Sequence, residues 1–257
     1  MANSLFDLTG KVAVITGSTR GIGRAIAEAM ARAGAKVVIS SRKADKCAEV
    51  ARAIKSEGWE ATPIACNIGK REDLERLVAE TKQCYGRIDS LVCNAAVNPY
   101  YGPMAQAPDE AFTKIIDSNV RSNLWLCNLV IPEMAERRDG TVIIVSSIGG
   151  LKGSSMLGIY GISKAADMQL ARNLAVEWGP GNIRANCIAP GLVRTDFARA
   201  LWENPETLAR VESSYPLRRI GEPEEIAGMA VLLASRAGNW ITGQTIVIDG
   251  GATIAGG

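Results

Sequence analysis

Residues 11–40 read KVAVITGSTRGIGRAIAEAMARAGAKVVIS, and the order of patterns within them decides the fold. Lys11 to Thr16 is a short β-branched, apolar run that stops at Gly17, the mark of a buried strand. After the turn GSTRGIG, the residues RAIAEAMARAGA carry apolar side chains at helical spacing until Gly34, and KVVIS at 36–40 opens a second strand. A strand, a glycine turn and a helix N-terminus in that order form an anion cradle. Free backbone amides and the helix dipole face whatever lies over the turn. Gly17, Gly21 and Gly23 are spaced GxxxGxG and not GxGxxG, so the flanking strand and helix supply the context that the glycines alone lack. The turn makes Gly17, Ser18, Thr19, Arg20, Gly21, Ile22 and Gly23 candidate nucleotide-binding residues.

The end of the second strand bears on which nucleotide fits. A site for NAD usually places Asp or Glu there, to hold the ribose 2′-hydroxyl. This chain has Ser40, Ser41 and Arg42, with Arg20 in the glycine turn. Two guanidiniums and two hydroxyls suit a 2′-phosphate and so point to NADP(H). The alternative is that both arginines are solvated surface charges.

Further along, helices are expected over about 44–57 and 71–85, with strands near 61–65 and 90–92. Strands alternating with helices of this length imply an α/β fold: one Rossmann-type, doubly wound parallel sheet of about seven strands with helices on both faces. Ligands collect beyond the carboxyl ends of such strands. Thr16, Ser41, Asn67, Asn94 and Ser147 all fall near such ends. Asn67 could touch an adenine edge or only shape a turn. Residues 109–136 read as one long helical stretch with Asn119 in its interior, either exposed or holding a water. Residues 183–188 form another strand, ending in Ala189, Pro190 and Gly191. From Leu192 to Leu217 the sequence reads as irregular, and its aromatic residues suit a substrate lid, simple packing or a subunit contact. A helix over 224–234 and a strand over 245–248 complete one domain spanning 1–257.

Composition limits the chemistry. The chain has 257 residues, 47% of them hydrophobic and 22% charged, enough for a sizeable core, and no linker-like segment divides it. The net charge of +2 is spread among mixed signs, which disfavours nucleic acid and anionic membranes as partners. No apolar run approaches the roughly 20 residues of a membrane span, and the N-terminus MANSLFDLTGK does not resemble a secretory signal, so a cytoplasmic location is expected. Six cysteines without a CxxC pair read as ordinary thiols, and no metal site is expected. Histidine is absent, which rules out a Ser/His/Asp hydrolase and leaves proton chemistry to Tyr, Lys, Asp, Glu, Ser or Cys.

One stretch offers such chemistry. In SIGGLKGSSMLGIYGISK, residues 147–164, Tyr160 and Lys164 lie one helical turn apart, and Ser147 follows the strand-like TVIIVS. An ammonium beside a phenol lowers a pKa that is ordinarily about 10, fitting the tyrosine for general acid or base work.

Taken together, TGSTRGIG at 16–23, CNAA at 93–96, Asn119, Ser147, YGISK at 160–164 and PGLVRT at 190–195 resemble a classical short-chain dehydrogenase/reductase along essentially the whole chain. The resemblance implies that Tyr160 is the general acid or base and that Ser147 positions the carbonyl oxygen. It implies that Lys164 tunes the tyrosine and binds the nicotinamide ribose, and that Asn119 holds a water linking the lysine to solvent. Asn94, Ala95 and Ala96 would support the sheet edge beside the cofactor. Val193 and Thr195 would contact the carboxamide and a nearby phosphate, Pro190 and Gly191 would also border the cofactor, and Asn67 with Ile68 would lie at the adenine. Two departures stand out: Cys93 and Ala96 replace an Asn and a Gly of the family's usual NNAG, and Asn67 replaces its usual Asp. Within the family, SSRK at 40–43, NAAVNP at 94–99 and APGLVRTDFARALW at 189–202 resemble the NADPH-dependent carbonyl reductase branch. Relatives there often end in a peroxisomal signal, whereas this chain ends IAGG, so cytoplasm remains the expectation. A homotetramer acting on a small carbonyl or alcohol follows from the same resemblance. Reduction of a 3-oxoacyl carrier-protein thioester stays open, since Arg194, Arg199, Arg218 and Arg219 could form a basic mouth, interrupted by Asp196, Glu203 and Glu206. A non-catalytic NADP(H)-binding protein is a third reading, at odds with the retained tyrosine and lysine.

Overall fold

A computed structural model of the chain describes residues 5–255; MANS at the start and the last two glycines, both read above for targeting, lie outside them. Seven strands form one parallel sheet: β1 Val12–Thr16, β2 Lys36–Ser40, β3 Ala61–Pro63, β4 Ser90–Cys93, β5 Gly140–Val145, β6 Ile183–Pro190 and β7 Thr245–Ile248. Their order across the sheet is β3-β2-β1-β4-β5-β6-β7. The chain winds outward from β1 to β3, then returns past β1 and winds the other way. That reversal opens a crevice between the carboxyl ends of β1 and β4, the place where such sheets bind ligands.

Side-chain alternation explains the layers on both faces. In β1, Ala13 and Ile15 join the apolar core on one face and Val14 joins the core on the other; in β5, Ile143 and Val145 oppose Val142 and Ile144. The first face is covered by α1 Gly21–Arg32, α2 Ala44–Ser56 and α9 Pro223–Ala234, through Ile26, Met30, Val50, Ile226 and Leu233. On the second face lie α3 Arg71–Tyr85, α5 Ser122–Glu136 and α6 Gly158–Trp178, through Leu74, Leu77, Leu126, Val130 and Leu174. The Rossmann-type doubly wound sheet expected from the sequence is therefore present.

Two stretches differ from expectation. Residues 109–136 are not one helix: α4 Asp109–Ile116 passes into a wider π-helical turn, Asp117–Arg121, before α5. The extra residue swings Asn119 inward, where it is fully buried, and π turns of this kind recur at functional sites. Nor is 192–217 irregular. It holds a 3-10 turn at Asp196–Ala198, then α7 Arg199–Trp202 and α8 Pro205–Ser214. Here the start signals decided the structure: Asn204 accepts a hydrogen bond from the Thr207 N–H at 2.9 Å, and Pro205 occupies the first helical turn.

Cys84 is the exposed thiol; the other five cysteines are buried, and burial pushes Cys66 up to about 12. A thiol reagent at about pH 8 should therefore modify one cysteine of the native protein quickly. All six cysteines should react after denaturation. A second fast thiol would show that the core opens.

Candidate active site

The glycine turn is held from below by the end of β4. Thr16 Oγ1 accepts hydrogen bonds from the N–H groups of Asn94 and Ala95, at 3.0 and 3.1 Å, and the Asn94 amide donates to the Thr16 and Gly17 carbonyls at 2.9 and 3.3 Å. Space under the turn is filled by that amide. A Cβ at Gly23 would meet Asn94 Nδ2 at 2.3 Å and the Gly17 carbonyl at 2.5 Å, and Gly17 also needs its φ of +67°. A Cβ at Gly21 would press on the Thr195 side chain at 3.1 Å, which places the segment after β6 against the turn. Ser18 is spent on the fold: its N–H donates to the Ser40 carbonyl at 3.1 Å, and its fully buried hydroxyl donates to the Ile15 carbonyl at 2.7 Å. Thr19 and Ile22 remain half-exposed on the turn.

At the end of β2, Arg42 is exposed and makes no ion pair or hydrogen bond among the described residues. Arg20 is exposed too, with Asp196 at 3.7 Å as its partner. Ser41 lies beside Cys47, 3.3 Å between Oγ and Sγ. Asn67 shapes a turn, its Oδ1 accepting from the Gly69 N–H at 3.1 Å while its own N–H donates to Asp73 at 2.8 Å. This accounts for one of its two sequence readings; Ile68 packs partly against the second core. Beyond β6, the Gly191 N–H donates to the Ile248 carbonyl at 2.9 Å. Val193 is buried and bridges to Gly221, and Thr195 caps the following 3-10 turn.

The residues expected from the sequence to transfer a proton converge where β5 ends and α6 begins. Ser147 stands in extended backbone just past β5, and its Oγ accepts from the Gly149 N–H at 3.1 Å. Close packing aligns the helix. A Cβ at Gly150 would lie 2.7 Å from the backbone at Lys164 and Ala165, so glycine lets α6 rest directly on the Ser147 turn. Tyr160 then faces the Ser147 hydroxyl, and Lys164 Nζ sits 5.7 Å from the centre of its ring. Phe197 leans on the same ring, 6.1 Å between centroids at a tilt of 42°.

Asn119 is a clamp. Its Oδ1 accepts from the Val97 N–H at 2.9 Å, and its Nδ2 donates to the Val97 carbonyl at 3.0 Å and to Ser163 at 3.1 Å. The side chain is thus fully committed, and any water-binding role would fall to other atoms.

Two buried residues were not singled out from the sequence. Lys164 Nζ donates to the Val145 carbonyl at 3.0 Å and to Asp167 Oδ2 at 2.9 Å. Asp167 Oδ1 in turn accepts from Asn123 Nδ2 at 3.0 Å. Asp167 is three residues beyond Lys164, so the same-face spacing was legible, but not that this face meets the sheet.

The pair alters the expected electrostatics. Burial pushes the Tyr160 phenol above its ordinary value, the Lys164 ammonium pulls it down, Asp167 pushes it up, and the Ser147 hydroxyl pulls it down. The net direction is upward, the reverse of the sequence expectation, because the ammonium's effect is opposed by burial and by a carboxylate. The ring keeps a partly open edge, so solvent softens this push. Burial alone would lower Lys164, but Asp167 and Tyr160 hold it above its ordinary value, so it stays charged. Such a set can hold a polar oxygen between Ser147 and Tyr160 and pass one proton.

Comparison with known proteins agrees with this geometry. A family model described as enoyl-(acyl carrier protein) reductase matches residues 17–253. Dehydrogenase/reductase SDR family member 4 of Bos taurus is 44% identical over 245 residues, covering 95% of this chain and 88% of that protein. Among solved structures, a gluconate 5-dehydrogenase from Burkholderia cenocepacia J2315 in complex with NADP and tartrate superposes with a TM-score of 0.95 at 30% identity, over 100% of both chains. A 7α-hydroxysteroid dehydrogenase complexed with NADH and 7-oxo glycochenodeoxycholic acid gives 0.93 at 36% identity, over 98% of each. The sheet order, the glycine turn under α1, the Ser147, Tyr160 and Lys164 cluster and these matches lead to one assignment: the chain belongs to the short-chain dehydrogenase/reductase family of NAD(P)-dependent alcohol and carbonyl oxidoreductases.

Proposed function

We propose that this protein is an NADP(H)-dependent carbonyl reductase that interconverts a ketone or aldehyde with its alcohol. The observation that carries the reading is the convergence of Ser147, Tyr160 and the buried Lys164 beside the crevice. A phenol held above its ordinary value is protonated at neutral pH, the state required of an acid. Tyr160 gives its proton to the carbonyl oxygen during reduction and removes it in the reverse direction, while Ser147 fixes that oxygen. Val145 and Asp167 take two of the three Lys164 N–H groups, which leaves one to bind the nicotinamide ribose. Asn119 keeps Val97 and α6 in register around the site.

The residues present fit a nicotinamide dinucleotide. Gly17 and Gly23 leave no room for a Cβ and Gly21 only a tight fit against Thr195, so the turn stays bare backbone, and the amides of the first turn of α1 suit an anion. When bound, the nicotinamide supplies or accepts the hydride. Arg42, exposed and unpaired at the end of β2, is the residue we assign to a 2′-phosphate, with Arg20 beside it. The relative bound to NADP supports this, and the one bound to NADH makes the test necessary.

The segment 192–217 is read as a lid, because Phe197 is half-exposed and already touches Tyr160. The basic mouth that an acidic carrier protein would need is largely neutralised: Arg194 pairs with Glu222 at 3.1 Å, Arg199 with Asp196 at 2.5 Å and Arg219 with Glu225 at 2.5 Å, while Arg218 donates to the Ser213 carbonyl and has no carboxylate partner among the described residues. That favours a free small molecule over a carrier-bound thioester. Exposed apolar residues on α4, α5 and α6 (Phe112, Leu124, Ile162) and Val247 on the edge strand support the homotetramer. Its location is read as cytoplasmic; among the described residues no helix is long and apolar enough to cross a membrane.

The test is a set of initial rates with NADPH and NADH on ketones, α-diketones, β-ketoesters and an acetoacetyl thioester, for the native protein and Arg42→Ala. NADPH preference with turnover of free carbonyls is the expected result. The variant should weaken NADPH by roughly ten- to hundred-fold, the worth of a charge-assisted hydrogen bond, and leave NADH nearly unchanged. Equal losses with both cofactors would refute the phosphate assignment, and dominance of the thioester would move the protein to acyl-chain reduction.

A further inference from the structure

Asp167 is fully buried, charged and absent from the proton path just described. Its surroundings are specified atom by atom. Lys164 Nζ donates to one carboxylate oxygen at 2.9 Å and the Asn123 amide to the other at 3.0 Å, so both oxygens act as acceptors, the pattern of an ionised carboxylate. The Cys187 thiol from β6 reaches the Asp167 main-chain carbonyl at 3.3 Å. Asn123 also donates to the Asn119 carbonyl at 2.6 Å, linking the carboxylate to the π-helical turn.

Sealing an ion pair inside a protein is a poor way to gain stability, since the loss of hydration offsets most of the attraction. An apolar side chain would fill the same space between α6 and the sheet at less cost. The pair instead controls one atom. An ammonium has three N–H groups; Val145 and Asp167 take two of Lys164's, and one is left for the cleft.

We propose that Asp167 is a positioning residue of the proton-transfer site: its carboxylate pins the Lys164 ammonium against the end of β5 and cancels part of the positive field that the ammonium casts on Tyr160. This rests on the reading of Tyr160 as the acid or base. The other titratable groups facing Asp167 are thiols. Cys93 on β4 is pushed up by its hydrogen bond with Cys127 of α5 and by burial, and Cys187 by burial, so they stay neutral over the working range. Arg172, also on α6, is exposed and bonded to Gln169 at 3.0 Å. The field at the phenol is therefore governed by Lys164 and Asp167.

The test is the pH dependence of kcat/KM in both directions for Asp167→Asn and for Asp167→Ser, whose smaller side chain leaves room for a water beside the ammonium should the first variant fold poorly. Without the opposing carboxylate the ammonium favours the phenolate more strongly. The acid limb of alcohol oxidation and the alkaline limb of carbonyl reduction, both set by Tyr160, are expected to move down together by about one pH unit. A role in packing alone would lower thermal stability and leave both limbs in place. Limbs that stay within about 0.3 unit of the native profile, or that rise, overturn the proposal. Tyr160→Phe is assayed in parallel. If it loses turnover while the limbs of the Asp167 variants stay fixed, only the role of Asp167 fails. If it retains turnover, the tyrosine reading fails and the proposal with it.

Discussion

Replacing Tyr160 by Phe is expected to cut turnover by roughly a thousand-fold, the usual worth of a positioned acid or base, equivalent to about 4 kcal/mol of barrier. Phenylalanine keeps the ring, and so keeps the contact with Phe197 and the cover over Lys164. It loses only the hydroxyl facing Ser147. NADPH affinity, measured by fluorescence titration, should therefore change less than about ten-fold, the upper scale of a lost neutral hydrogen bond. Retained turnover would remove Tyr160 from the proton path; lost cofactor binding would mean that the hydroxyl holds the cleft open instead.

A second large effect is expected at Lys164. Lys164→Met nearly preserves volume but strips Asp167 of its charge partner in a fully buried site. An orphaned buried carboxylate costs about 3–5 kcal/mol, which for a chain of this size lowers the melting temperature by about 10 °C. Turnover should fall at least about a hundred-fold, because the charge that assists Tyr160 is gone. The deficit in stability should depend on pH. In the variant the folded carboxyl is raised by burial above its unfolded value, so the stability it permits is present below the unfolded value and is lost as pH rises through the folded one. The gap from the native protein should thus narrow as pH falls. Adding Asp167→Leu should restore much of the melting temperature and none of the activity. If the single variant melts with the native protein at neutral pH, the pair contributes nothing to the fold.

Much of this architecture was written in local patterns. KVAVIT, KVVIS and TVIIVS each combine β-branched residues with a glycine or polar stop, so the strands and the carboxyl ends where Thr16, Asn94 and Ser147 stand could be read directly. The spacing of Tyr160 and Lys164 was equally legible, since one helical turn fixes it. Other features depended on packing between distant segments. That Asn119 clamps Val97 requires the π-helical turn, and nothing in its neighbours announces that extra residue. Asp167 follows two alanines in a stretch that reads as any helix surface; only the seating of α6 on β5 and β6 turns it inward. The phenol's upward shift came first from its burial under packed segments and then from that carboxylate, and neither could be read from spacing. The helix at Pro205–Ser214 was legible through Asn204 and Pro205 and was obscured by the mixed polarity of its surroundings.

The strand order has a consequence for redesign. Arg42 leaves the end of β2 and Ser147 the end of β5, with β1 and β4 between them. Three strand spacings amount to about 14 Å, beyond the range over which substitutions usually interact. On the roles proposed for Arg42 and Tyr160, cofactor choice and proton transfer are then independent modules. Changes at residues 40–42 that exchange one dinucleotide for another should combine additively with changes around Tyr160, so the enzyme's electron source can be altered while its catalytic chemistry is left intact.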